Sequence, residues 1–66
     1  MTENELQQYL GKQIIVTTDD GGVFAGHCEC FTSSLDNDNG IASIDVNVGD
    51  FVYELYLNEI KTIELG

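Results

Sequence analysis

Ile14-Ile15-Val16-Thr17-Thr18-Asp19-Asp20-Gly21-Gly22-Val23-Phe24-Ala25-Gly26-His27-Cys28-Glu29-Cys30-Phe31 is the stretch that decides the fold. Its first five residues are all β-branched, and such side chains fit a pleated strand better than a helix. Asp19-Asp20-Gly21-Gly22 supplies a turn, since glycine accepts positive φ without a steric penalty. Val23 to Phe31 returns as a second strand. Gly26 in its middle weakens pairing and marks a bend or bulge, as a strand needs when it wraps around a small barrel.

Toward the N-terminus, Thr2-Glu3-Asn4-Glu5 has the spacing of a capping box. Leu6, Tyr9 and Leu10 follow at i, i+3, i+4, which predicts one apolar stripe on a helix over about residues 2–10, stopped by Gly11. Two turns are too short to stand alone, so the helix must lie on something. Toward the C-terminus, Thr32 to Asn39 is polar and turn-rich. Ala42, Ile44, Val46 and Val48 then alternate with Ser43, Asp45 and Asn47, giving one dry face and one wet face. Gly49-Asp50 turns the chain. Phe51, Tyr53, Leu55 and Leu57 alternate with Val52, Glu54 and Tyr56, Asn58-Glu59 breaks the run, and Ile60 to Leu65 forms a last strand. The expected fold is therefore mainly β: one domain over residues 1–66, with a short N-terminal helix and a five-stranded, strongly bent antiparallel barrel over about residues 12–65.

Sixty-six residues bury a modest core, so a chain of this size needs a staple: disulfides, a metal or association with other chains. Two cysteines make no disulfide framework, no signal peptide leads the sequence and no apolar run reaches the ~18 residues of a membrane span. Those features predict a reduced cytoplasmic compartment, no membrane and stapling by self-association. Twelve acidic residues face only Lys12 and Lys61, for a net charge of −10, and there is no arginine. Phosphate polymers are bound by lysine and arginine displacing condensed counterions, so nucleic acid is an unfavourable partner and a basic protein a favourable one. With 42% hydrophobic residues in regular patterns the chain is not expected to be disordered.

Leu10-Gly11-Lys12, Ile14-Ile15-Val16, Asp20-Gly21, Gly26, Cys28 and Phe31, in that order and without a gap, resemble the first signature of the Sm and Sm-like family. Leu57-Asn58-Glu59-Ile60-Lys61-Thr62-Ile63-Glu64-Leu65 is similar to the second, where a one-turn break joins the fourth strand to the fifth. The resemblance spans nearly the whole chain and implies a bent SH3-like barrel whose copies form rings by joining the fourth strand of one subunit to the fifth of the next. It does not bring the RNA site with it. Thr32 follows Phe31 where an Asp is expected soon after the aromatic, Asn37 and Asn39 miss the loop spacing, Asn58-Glu59 replaces Arg-Gly, and Tyr56-Leu57 stands where the bacterial branch has Lys-His. The candidate oligomer edge carried across is Phe51, Val52, Tyr53, Tyr56, Ile60, Thr62 and Ile63. The candidate acidic partner surface is Asp19, Asp20, Asp36, Asp38, Glu54 and Glu59.

No motif implies a metal, a cofactor or catalysis. Cys28 and Cys30 fall on one strand face and His27 and Glu29 on the other, so the pair reads as buried thiols filling the barrel, not as a zinc site with about four converging ligands. Asp36-Asn37-Asp38-Asn39-Gly40 misses calcium-loop spacing, with Gly40 at the fifth position and Asn47 at the twelfth, and reads as a polar hairpin loop. Asp19-Asp20 and Asp36/Asp38 beside glycines lack the burial that splits the pKa values of an acid/base pair, and Ser33-Ser34 and His27 make no nucleophile motif. Alternation places Tyr9, Phe24, Phe31, Phe51 and Tyr53 in the core and Tyr56 on the surface. The leading expectation is a non-enzymatic, self-associating Sm-like module with an acidic face. The alternatives are an acidic decoy for a basic nucleic-acid-binding protein and a divergent RNA binder that works by stacking.

Overall fold

In the computed structural model, which describes residues 1–66, the capping box forms in full. Thr2 Oγ1 accepts from the Glu5 amide at 3.2 Å and Glu5 Oε1 accepts from the Thr2 amide at 3.0 Å, holding the Glu5 carboxyl below its usual range. Helix α1 covers only Glu3–Gln7, shorter than the sequence pattern predicts. Beyond it the chain winds tighter: the amides of Tyr9, Leu10 and Lys12 donate three residues back, to Leu6, Gln7 and Tyr9. At three residues per turn, positions i and i+3 align. Leu6 and Tyr9 therefore face the core together, whereas Leu10 rotates out and is 45% exposed. Gly11, at φ 83°, ends the turn.

The expected class is present: five antiparallel strands in one sheet with a short N-terminal helix. The strands are β1 (Gln13–Thr18), β2 (Val23–Thr32), β3 (Ser43–Asn47), β4 (Val52–Tyr56) and β5 (Ile60–Leu65), with a single 3-10 turn over Leu57–Glu59. Their order in the sheet is β4-β3-β2-β1-β5, and no ladder joins β4 to β5, so both are end strands. Strand β2 holds the sheet together by serving two ladders. Val23–His27 pair with β1, His27–Thr32 pair with β3, and His27 belongs to both. The sheet bends around one core of nine buried residues: Leu6, Ile14, Val16, Cys28, Ala42, Ile44, Val46, Leu55 and Ile60.

Gly26 and the bulge in β2 are separate features. At Gly26 the backbone of β3's exit lies directly against β2. A Cβ would strike the Asn47 carbonyl oxygen and lie 2.7 Å from its carbonyl carbon and 3.0 Å from Val48 Cα. The register break comes later, where Cys28 faces Val46 but Cys30 faces Asp45, leaving Glu29 as the extra residue. That bulge corrects the expectation of two buried thiols. One inserted residue flips everything after it to the other face, so Cys28 is buried and Cys30 is exposed.

Two further expectations are corrected by position in the sheet. Phe51 and Tyr53 are not core. Tyr53 faces Val46 on the core side, but β4 is an end strand with nothing beyond it, and the two rings remain 65% and 40% exposed. Ser43, on the predicted wet face, is fully buried, because Asn37 Nδ2 donates to its hydroxyl at 3.0 Å and the hydroxyl donates to Glu54 Oε2 at 3.0 Å. Asp45 stands opposite Glu54 on that same outer face. Burial first, then the charges of Glu54 and Glu29, push its carboxyl above the ordinary value. A carboxyl raised by folding binds its proton more tightly in the folded state, so Asp45 weighs against folding at neutral pH and is relieved as pH falls toward its folded value.

Candidate interaction surface

The edge of β4 follows from its hydrogen-bond parity. The Leu57 amide donates to the Ala42 carbonyl at 2.8 Å, and the Val48 amide to the Phe51 carbonyl at 2.9 Å. Bonded and non-bonded pairs alternate along an antiparallel ladder. With Asn47 opposite Val52, Asp45 opposite Glu54 and Ser43 opposite Tyr56, the backbone groups of Val52, Glu54 and Tyr56 point away from β3. Tyr56 N–H is capped by Glu59 Oε1 at 3.3 Å, which leaves the Val52 and Glu54 donors free. On β5, the bond from the Gly66 amide to the Gln13 carbonyl sets the same alternation, so Ile63 and Leu65 present their backbone groups outward. Both ends of the sheet are thus open for strand addition.

Side chains on those edges are largely apolar. Phe51, Val52 and Tyr53 are 65%, 53% and 40% exposed on β4 and its entry, and Leu65 is 66% exposed on β5. The rings form a row, with Phe24 and Tyr53 centroids 5.0 Å apart and Tyr53 and Phe51 6.2 Å apart. Of the other predicted edge residues, Thr62 is exposed, Ile63 packs half-buried against the core and Ile60 is buried within it, offering backbone but no side chain. Lys61 is the bulged residue of β5, skipped between the Thr17–Thr62 and Thr18–Ile60 pairs. Leu65 lay outside the predicted edge although its alternation with Ile63 could have found it.

The acidic residues separate into groups. Asp19, Asp20 and Glu59 line a cleft of about 270 Å³ with Thr18, Phe24, Leu55 and Asn58. It forms where the β1–β2 turn meets the 3-10 turn, a junction tied by the Asp19 amide donating to the Glu59 carbonyl at 2.9 Å. Thr18 Oγ1 and the Gly22 amide both donate to Asp20 Oδ1, which holds that carboxyl below its ordinary range. A second group surrounds Tyr56. Its hydroxyl donates to Glu54 Oε1 at 3.1 Å, and this bond, partial burial and the charges of Glu54, Glu59 and Asp38 push the phenol upward. Asp36 stands in the loop, where Ser33 Oγ donates to it at 3.2 Å. Sequence reasoning missed Asp45, which the β3–β4 register sets opposite Glu54, and Glu29, the bulged residue of β2 whose charge also acts on Asp45.

No protein-family model, curated protein or solved structure matches the chain. The Sm-like resemblance accordingly rests on the quoted sequence residues alone.

No three His, Cys, Asp or Glu side chains converge as metal ligands would. The loop from Asp36 to Gly40 is organised by its own hydrogen bonds, with Asn37 Nδ2 donating to the Ile41 carbonyl at 2.7 Å and the Ile41 amide to Asn39 Oδ1 at 3.0 Å. Burial, then the charges of Asp45 and Cys30, push the Cys28 thiol to about 11, so it stays protonated near neutral pH and is no nucleophile there. No helix is long and apolar enough to cross a membrane.

Proposed function

We propose that this chain is a non-enzymatic interaction module of the Sm-like type, whose copies join through the free edges of β4 and β5 and turn an acidic face to other proteins. The observation that carries the reading is the pair of unpaired sheet ends, one flanked by the exposed Phe51, Val52 and Tyr53. Exposed apolar edges invite pairing, and a closed ring of copies satisfies them without leaving an end. Joining also supplies the buried area that a 66-residue core lacks.

Charge opposes the joining, which makes salt the diagnostic variable. Every copy adds −10, and the screening length falls from about 30 Å at 0.01 M to about 8 Å at 0.15 M. Light scattering is expected to give masses that are multiples of 7.3 kDa at physiological salt and that fall as salt is removed. A mass of 7.3 kDa at every salt concentration contradicts self-association. The acidic decoy reading draws on the cleft described above, because a lining that joins Asp19, Asp20 and Glu59 to Phe24 and Leu55 suits a cationic group and repels phosphate.

A further inference from the structure

We propose that the cleft between the β1–β2 turn and the 3-10 turn receives one arginine side chain from a partner protein. The cleft, at about 270 Å³, lies at the small end of ligand sites and has room for a single long side chain. The walls decide the chemistry. Its lining combines the buried Leu55 and half-buried Phe24 with the exposed carboxylates of Asp19, Asp20 and Glu59, so apolar and anionic surface meet in one cleft. Phosphate, carboxylate and nucleobase-phosphate ligands meet repulsion there, on a chain already at −10. A cation with an apolar stem meets both surfaces at once.

Arginine suits the site better than lysine for geometric reasons. Its planar guanidinium stacks on an aromatic face while its fork donates to carboxylates at the edge, whereas an ammonium is compact and holds its water strongly. Asp20 is set rigidly for this. Thr18 and Gly22 occupy its Oδ1, so the carboxylate orientation is fixed and its other oxygen is left for a ligand. Glu59 is fixed likewise by the bond its Oε1 accepts from the Tyr56 amide. The chain contains no arginine, so the occupant comes from a different protein and not from a second copy. The inference rests on the acidic-face part of the proposed function and is independent of the edge joining.

The test is a titration followed by backbone amide shifts, with three blocked pentapeptides of the form Gly-Ser-X-Ser-Gly in which X is arginine, lysine or citrulline. The arginine peptide is expected to shift Thr18, Asp19, Asp20, Phe24, Asn58 and Glu59, and to bind about fivefold more tightly than the lysine peptide and about tenfold more tightly than the citrulline peptide. Asp19→Asn with Glu59→Gln is expected to abolish the difference, whereas Asp36→Asn with Glu64→Gln, which removes the same charge elsewhere, keeps it. Equal binding of arginine and lysine peptides, or shifts scattered over all acidic residues, overturns the inference while leaving a general acidic face. No binding of either cationic peptide at low salt overturns both.

Discussion

Gly26→Ala is expected to lower the melting temperature by more than about 10 °C, an effect out of proportion to one added methyl group. The new Cβ has nowhere to go, since it would strike the Asn47 carbonyl and press on Val48 Cα, both backbone atoms that cannot rotate aside. Overpacking a tight site costs about 1–3 kcal/mol and more when backbone must move. A chain of 66 residues has only about 3–10 kcal/mol of total stability, and in a domain this size each kcal/mol shifts the melting point by about 4–8 °C. The loss also spreads, because Gly26 sits where β2 passes from the β1 ladder to the β3 ladder. Thermal melts of both proteins at one concentration, followed by circular dichroism, check this. A melting point within a few degrees of the parent's means the close crossing at Asn47 is wrong.

Val52→Pro is expected to dissociate the proposed assembly of copies and leave the fold of each copy intact. Proline lacks an N–H and projects a ring where the hydrogen was, which is tolerated in a sheet only where the donor faces away from the neighbouring strand. Val52 meets that condition, because its donor points off β3 and its side chain is 53% exposed. The ring would project into the line of approach of an added strand. The dissociation constant between copies should rise by about 100-fold or more, equivalent to about 2.8 kcal/mol. Val52→Thr, which keeps both the donor and the β-branch, should assemble as the parent does. Sedimentation of the three proteins at physiological salt reads the outcome. Unchanged mass for the proline variant removes β4 from the interface.

Much of the fold is legible in the sequence. The capping box at Thr2 and Glu5, the β-branched run at Ile14, the glycine turn at Gly21 and the dry positions Ala42, Ile44 and Val46 each report a local preference that the tertiary structure keeps. Two of the failures share a cause, which is that period-2 alternation assumes an unbroken ladder with neighbours on both sides. Glu29 breaks the ladder, so Cys30 turns outward against its pattern. Tyr53 obeys the pattern but lies on an end strand, so facing the core does not bury it. Leu10 fails for a different reason, since hydrogen bonds three residues back replace the expected α-turn. For the candidate surface, sequence supplied the acidic residues but not their grouping. Asp19 and Asp20 reach Glu59 across some forty positions only because the 3-10 turn folds back onto the β1–β2 turn.

Amide hydrogen exchange at the two sheet ends tests the joining of copies most directly. Within one copy the amides of Val52 and Glu54 on β4 and of Ile63 and Leu65 on β5 have no strand to donate to. If copies pair through these edges, all four exchange slowly in concentrated protein at physiological salt and speed up together on dilution or on removal of salt. Rapid exchange of the four at every concentration, beside slow exchange at Val46 and Leu55, would contradict the account.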